Sequence, residues 1–264
     1  MNNSKSRLQY LFSLTVSVLL ALVLGGLIMA ATGHNPIEGY GALLSGALGT
    51  SRGIGNTLAK SATLCLTGLA TAVAAQAGIF NVGGEGQLYL GAIASAYVGA
   101  RLTGVTPWIA LPLCFLAAIA AGGLYAWIPA VLKVKMKVNE VITTIMMNSA
   151  AIYFCSYLAN GPLKTSQRGV SAGTDAVDPA FMFSRVIKLS NLTESIFYAA
   201  AIALIVWYVM RKTTAGFEMK LTGYNERFAR FSGIKAGKLA IWSMVASGAI
   251  CGLVGMFEVF GLHK

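Results

Sequence analysis

The sequence predicts an all-α integral membrane protein, a polytopic helical bundle with about seven transmembrane helices visible. Three observations carry this prediction. Hydrophobic residues make up 56% of the 264 residues and charged residues only 11%, against roughly 25% charged in a typical soluble domain. The charges sit between long apolar runs, the pattern that encodes membrane topology. The four cysteines, Cys65, Cys114, Cys155 and Cys251, all fall inside apolar runs; they match neither a disulfide framework nor a metal-ligand spacing and read as packing residues. The net charge of +11 does not point to nucleic acid, since that needs a basic patch on a soluble surface.

Taken in order, the uncharged stretches predict spans at Tyr10–Ala31, Ser61–Phe80, Gln87–Ala100, Val105–Ala130, Val141–Asn160, Ser195–Met210 and Leu239–Phe257. The first follows Lys5 and Arg7 as a signal peptide would, but its apolar run is longer than a signal core and long enough to cross the membrane. The third and sixth fall short of the roughly 20 residues of a straight span. Arg101, and Arg211 with Lys212, extend them by reaching to the headgroups.

Lysine and arginine set the orientation. They occur in the N-terminal tail (Lys5, Arg7), after the fourth span (Lys133, Lys135, Lys137) and densely between the sixth and seventh. That last link holds Arg211, Lys212, Lys220, Arg227, Arg230, Lys235 and Lys238, opposed only by Glu218 and Glu226. A cytoplasmic N-terminus puts all three groups in the cytoplasm. The link from Leu163 to Glu194 mixes Lys164, Arg168, Arg185 and Lys188 with three acids and falls outside. Seven spans leave Lys264 outside, directly after an apolar helix. We therefore expect one transmembrane domain over residues 1–264, incomplete at its C-terminal end.

Three segments exceed what a plain bundle requires. The first is Gly78-Ile79-Phe80-Asn81-Val82-Gly83-Gly84-Glu85-Gly86-Gln87. It reads either as a tight cytoplasmic turn or as a helix break that reaches into the membrane and lines a polar path. Irregular backbone is tolerated at depth only where it is buried in protein or faces water, and broken helices recur at transporter sites. In the second reading Glu85 needs a partner or a substrate.

The longer run Ala77–Ala92, with Thr57–Ala62, Leu66–Ala70 and Lys137–Thr144, resembles the permease subunits of sugar and nucleoside ABC importers. Their superfamily includes the branched-chain amino-acid permeases. The resemblance covers nearly the whole chain, and its glycine-acid segment is specific to the sugar/nucleoside branch. It implies the all-helical importer permease fold, with more helices than seven. It also implies alternating access, a cytoplasmic ATP-binding subunit, a second permease subunit and an extracytoplasmic solute-binding protein. The setting would be the cytoplasmic (inner or plasma) membrane of a prokaryote.

The second segment is the link from Arg211 to Lys238, with Gly216-Phe217-Glu218-Met219-Lys220 and Gly223-Tyr224-Asn225-Glu226-Arg227-Phe228-Ala229-Arg230-Phe231-Ser232-Gly233. Asn225 suits an N-cap, Glu226 the first turn and Gly233 the C-terminal end. Glu226 and Arg230 form an i,i+4 pair, and Phe228 and Phe231 share one side of a short helix. This is either a surface helix on anionic lipid or a docking helix with aromatic anchors. The resemblance implies the second: a coupling loop seated in the ATPase, involving Gly216, Glu218, Gly223, Asn225, Glu226, Phe228, Arg230 and Phe231.

The third is Asn139-Glu140 entering the fifth span, followed by Thr143, Thr144 and Asn148. Asn139 caps the helix and Glu140 suits its first turn. Thr144 and Asn148, one turn apart, serve as interhelical glue or as substrate contacts. With Asn81, Gly83, Glu85 and Gln87 they make up the candidate substrate pathway. Lys60, Gln76 and Glu258 are further polar residues at or near the spans.

No phosphate-loop motif is present, and His34 and His263 are the only histidines. The chain is therefore not expected to be an enzyme or to bind a cofactor or metal; ATP would be used by the partner subunit. The rival readings are a branched-chain amino-acid permease, an ion-coupled secondary transporter, which would need intramembrane acids and inverted repeats, and a membrane scaffold with no need for the break.

Overall fold

The computed structural model describes residues 3–165 and 173–261, with side chains from Phe12 onward. The side chains of Lys5 and Arg7, and Arg168, His263 and Lys264, lie outside the described residues. Among the described residues the elements are helical apart from two isolated bridges, Lys164 with Thr174 and Arg185 with Thr193. The chain divides into two compact units, residues 1–57 and 58–264.

In the first unit, α1 (Asn3–Ala31) closes on Gly33, which at φ +81 lets His34 N–H reach the carbonyl of Met29, a left-handed stop that relieves the last turn's carbonyls. Helix α2 (Pro36–Leu48) was not among the expected elements. Asn35 caps it by accepting from Ile37 N–H, and Pro36 supplies a preset first turn. Tyr40 Oη donates to the Leu22 carbonyl at 2.6 Å, tying α2 to α1. Nothing in the apolar window of Phe12–Ala31 is buried within the chain.

Helix α3 (Ser51–Gln76) begins in the first unit and runs through the second. It starts ahead of the expected Ser61 because Arg52 and Lys60 bound an apolar window, not a helix. The second unit continues with α4 (Gly84–Arg101), α5 (Pro107–Met136), α6 (Glu140–Asn160), α7 (Ser195–Lys212), α8 (Thr214–Tyr224), α9 (Glu226–Phe231) and α10 (Ala236–Gly261). Among the described residues six helices are long and apolar enough to cross a membrane: α1, α3, α5, α6, α7 and α10. The remaining expected span, α4, is an 18-residue helix bracketed by Glu85 and Arg101.

Helix α10 is the axis of this unit; 67% of its apolar window is buried. Its glycines explain why. A methyl group on Gly248 would collide with Ala126, and one on Gly252 with the Ala118 carbonyl. Lipid chains are as apolar as leucine, so close backbone approach through small residues is what binds helices together in a membrane. Gly255 meets Leu88 and Ala92 of α4 in the same way. These pairings run α5 antiparallel to α10 and α4 parallel to it. Far from the lysine-rich links, a 3-10 turn (Pro179–Phe181) capped by Asp178 leads Phe181 into the buried core and Phe183 into an aromatic cluster with Phe115, Tyr198, Phe257 and Phe260.

Candidate functional site

The break between α3 and α4 starts with a sharp turn. Gly78, at φ +77, donates to the Ala75 carbonyl while Ile79 N–H reaches back to Ala74, the hydrogen-bond pattern of a glycine-closed helix end. The chain then runs without helix through Asn81 and Val82 before α4 begins. Asn81 lies opposite Ser247 and Gly84 opposite Cys251, both near the middle of α10. Helix α4 thus starts about halfway along the bundle. The non-helical stretch from Ala77 to Gly83 reaches into the bundle as a helix break rather than closing as a surface turn.

The buried side-chain polar groups in and beside it are engaged. The side-chain amides of Asn81 and Gln87 pair reciprocally: Asn81 Nδ2 donates to Gln87 Oε1 at 2.8 Å and Gln87 Nε2 donates to Asn81 Oδ1 at 3.0 Å. Asn81 Nδ2 also donates to Ser247 Oγ at 2.8 Å, and Asn81 Oδ1 accepts from Gly83 N–H at 3.0 Å. Asn81 therefore satisfies all four of its hydrogen-bonding positions while only 5% exposed. From α6, Asn148 Oδ1 accepts from Gly86 N–H and its Nδ2 donates to the Val82 carbonyl, both at 2.9 Å. In this geometry Asn148 is glue between α6 and the break. Among the described residues no buried side-chain polar atom lacks a partner.

The other candidates divide. Thr144 is fully buried, back-bonded to the Glu140 carbonyl at 2.7 Å, with its Cβ beside Gly83. Glu85, in contrast, is exposed and forms no ion pair among the described residues. Asn139 caps α6 as expected, and Glu140 adds an ion pair to Lys133 at 2.6 Å. Glu258 accepts from Thr63 Oγ1 at 2.8 Å, joining α10 to α3.

The Arg211–Lys238 link folds as two helices, α8 and α9, where the sequence pattern marked only the second. Thr213 caps α8 and Asn225 caps α9, its side chain accepting from Phe228 N–H at 3.0 Å. Arg230 meets Glu226 at 2.6 Å, and Gly233 closes α9 at φ +85. Phe228 is 57% and Phe231 92% exposed, so neither is used for packing within the chain. Gly216 and Gly223 serve contact instead. A methyl on Gly216 would strike the Val209 and Met210 carbonyls, and one on Gly223 the Gln76 carbonyl. Glu218 contributes its carbonyl to Thr222 Oγ1 at 2.8 Å. Gly223 also lies against Gly78, so the base of α8–α9 rests on the turn that opens the helix break.

A family model described as "Branched-chain amino acid transport system / permease component" matches residues 53–263. The chain belongs to that family. This permease is 36% identical over 259 residues to the guanosine ABC transporter permease protein NupP of Bacillus subtilis (strain 168), covering 98% of this chain and 74% of NupP. It is 32% identical over 253 residues to the nucleoside ABC transporter permease protein NupB of Lactococcus lactis subsp. cremoris (strain MG1363), covering 93% and 70%. With the glucose ABC transporter permease protein TsgB13 of Haloferax volcanii (strain ATCC 29605) it shares 34% over 263 residues, covering 93% and 67%. No solved structure matches. The resemblance drawn from Ala77–Ala92 is thus borne out, and the permease is a multi-pass membrane transport component.

Three participants in the site escaped the sequence reading of this permease. Ser247, Lys133 as partner of Glu140, and the Gly78–Gly223 contact all depend on pairings across long stretches of chain. The seam between α5 and α10 had a readable signal: Ala118, Gly122, Ala126 and Ala130 recur every fourth residue, as do Gly248 and Gly252.

Proposed function

We propose that this chain is the membrane-spanning subunit of an ABC importer for nucleosides or simple sugars, driven by a separate cytoplasmic ATP-binding subunit. A second permease subunit completes the path and an extracytoplasmic binding protein delivers the solute. The observation that carries this reading is the junction of α8–α9 with the helix break. Two exposed phenylalanines stand on a capped helix, and the base of that helix pair presses through Gly223 on Gly78. The relatives named for guanosine, nucleosides and glucose support the substrate class, and the lysine and arginine distribution supports a cytoplasmic N-terminus in a prokaryotic inner or plasma membrane.

In this mechanism the ATPase grips Phe228 and Phe231 in one nucleotide state more tightly than in the other, because only a differential contact shifts a conformational equilibrium. Motion of α9 is passed through Gly223 to Gly78 and the break. Asn81, Gln87, Asn148 and Thr144 hold the break's shape with Gly83, and Glu85 is the group left to meet solute or a second subunit.

The test is reconstitution in liposomes with candidate ATPase and solute-binding proteins from the same organism. Loaded binding protein should stimulate ATP hydrolysis and uptake with guanosine, adenosine, ribose or glucose. Stimulation by leucine alone would move the chain to the amino-acid branch. Uptake driven by an ion gradient without any ATPase would overturn the importer reading.

A further inference from the structure

At the lysine-rich end of the second unit, the start of α10, the end of α5 and helix α9 enclose a cavity of about 600 Å³. Its inner wall is apolar, formed by Ile79, Val134 and Ala240. Its rim carries Lys133, Lys137, Arg227 and Arg230, against the single acid Glu226. Two ion pairs engage the nearby carboxylates: Arg230 with Glu226 and Lys133 with Glu140. Lys137 and Arg227 form no ion pair among the described residues, leaving two positive charges on one cavity.

Two further features favour an anion there. Ala236 and Gly237, the first residues of the 26-residue α10, line the same cavity, adding the positive end of a long helix. The cavity also lies where α3 and α5 end and α10 begins, the level at which apolar spans give way to headgroups. A free anion would use the cationic rim and leave the apolar wall unused. A glycerophosphate with the first carbons of its acyl chains would use both, and basic pockets between membrane helices on the cytoplasmic side take such headgroups.

We propose that this cavity is a binding site for the phosphate and glycerol backbone of an anionic phospholipid, with Lys137 and Arg227 as the phosphate-holding residues. It stands apart from the substrate reading, since a chain that binds the lipid and moves no nucleoside fails only as an importer.

The experiment titrates the full chain, purified in neutral detergent, with phosphatidylglycerol or phosphatidylcholine, reading bound lipid by native mass spectrometry and thermal stability in parallel. Saturable binding of phosphatidylglycerol with a raised melting temperature is expected, and no such effect from phosphatidylcholine or millimolar inorganic phosphate. The double variant Lys137→Gln/Arg227→Gln should weaken binding roughly 30-fold. Lys135→Gln, outside the cavity, should leave it unchanged, and Lys137→Arg/Arg227→Lys should retain it if the glutamine variant folds poorly. Equal binding of both lipids, equal stabilisation by inorganic phosphate, or full binding by a folded glutamine variant would each overturn the proposal.

Discussion

The helix break ahead of Gly84 and the helix pair α8–α9 are the two regions where this permease departs from a plain bundle, and they do so in opposite ways. In the break every buried polar group finds its partner inside the chain; Asn81 alone engages Gln87, Ser247 and Gly83. In α9 the two phenylalanines stay open, Phe228 at 57% and Phe231 at 92% exposed. A region that satisfies itself fixes architecture, because an unpaired amide in a membrane interior costs far more than a paired one gains. A region left open is completed by something else. Substitutions in the first should therefore register as stability, and in the second as lost partnership with the fold intact.

The largest stability effect is expected from Asn81→Ala. It strands Gln87, Ser247 and the Gly83 amide together, each at a cost of roughly 1–3 kcal/mol, and should show as a lowered melting temperature in detergent together with lost uptake. A stable Asn81→Ala protein would erase the contrast. Gly223→Val tests the seam between the regions. The new side chain meets the Gln76 carbonyl, and overpacking of this kind costs roughly 1–3 kcal/mol. ATP hydrolysis should persist while its coupling to uptake falls, measured as solute moved per ATP. Arg230→Ala removes an exposed i,i+4 pair worth roughly 0.3–0.5 kcal/mol, a shift that high salt should abolish in the unaltered chain. Smallest in stability is Phe228→Ala/Phe231→Ala, expected within about 0.5 kcal/mol of the parent. Yet it should abolish co-purification with the ATPase. Undiminished uptake by that double variant would remove α9 from the coupling route.

The same contrast explains what could be read from the sequence. The caps at Asn139 and Asn225, the Glu226–Arg230 pair and the exposed Phe228–Phe231 face were legible because each is written within one turn of helix. The membrane class and the apolar spans were legible from composition and run length. The Asn81–Ser247 bond was not, because those residues are 166 apart in sequence and only the fold brings them together. Asn148 could be read as glue or as a solute contact; the two hydrogen bonds to Val82 and Gly86 now place it against the break. Span edges slipped where charge was taken to end a helix, as at Lys60 in α3 and Lys133 and Lys135 in α5. A helix ends where its hydrogen bonds are capped, and both of these run on past their lysines.

The glycine seam along α10 carries a consequence for how this molecule yields over time. Gly248 and Gly252 are locked on α5, and Gly255 on α4, at distances no added methyl would survive. Amide hydrogens in that stretch should be the slowest in the chain to exchange with deuterium, outlasting those of α8 and α9, since exchange there needs the seam itself to part. The order in which the amides surrender their protons would thus record which parts of the permease travel together as one solid piece and which slide past it.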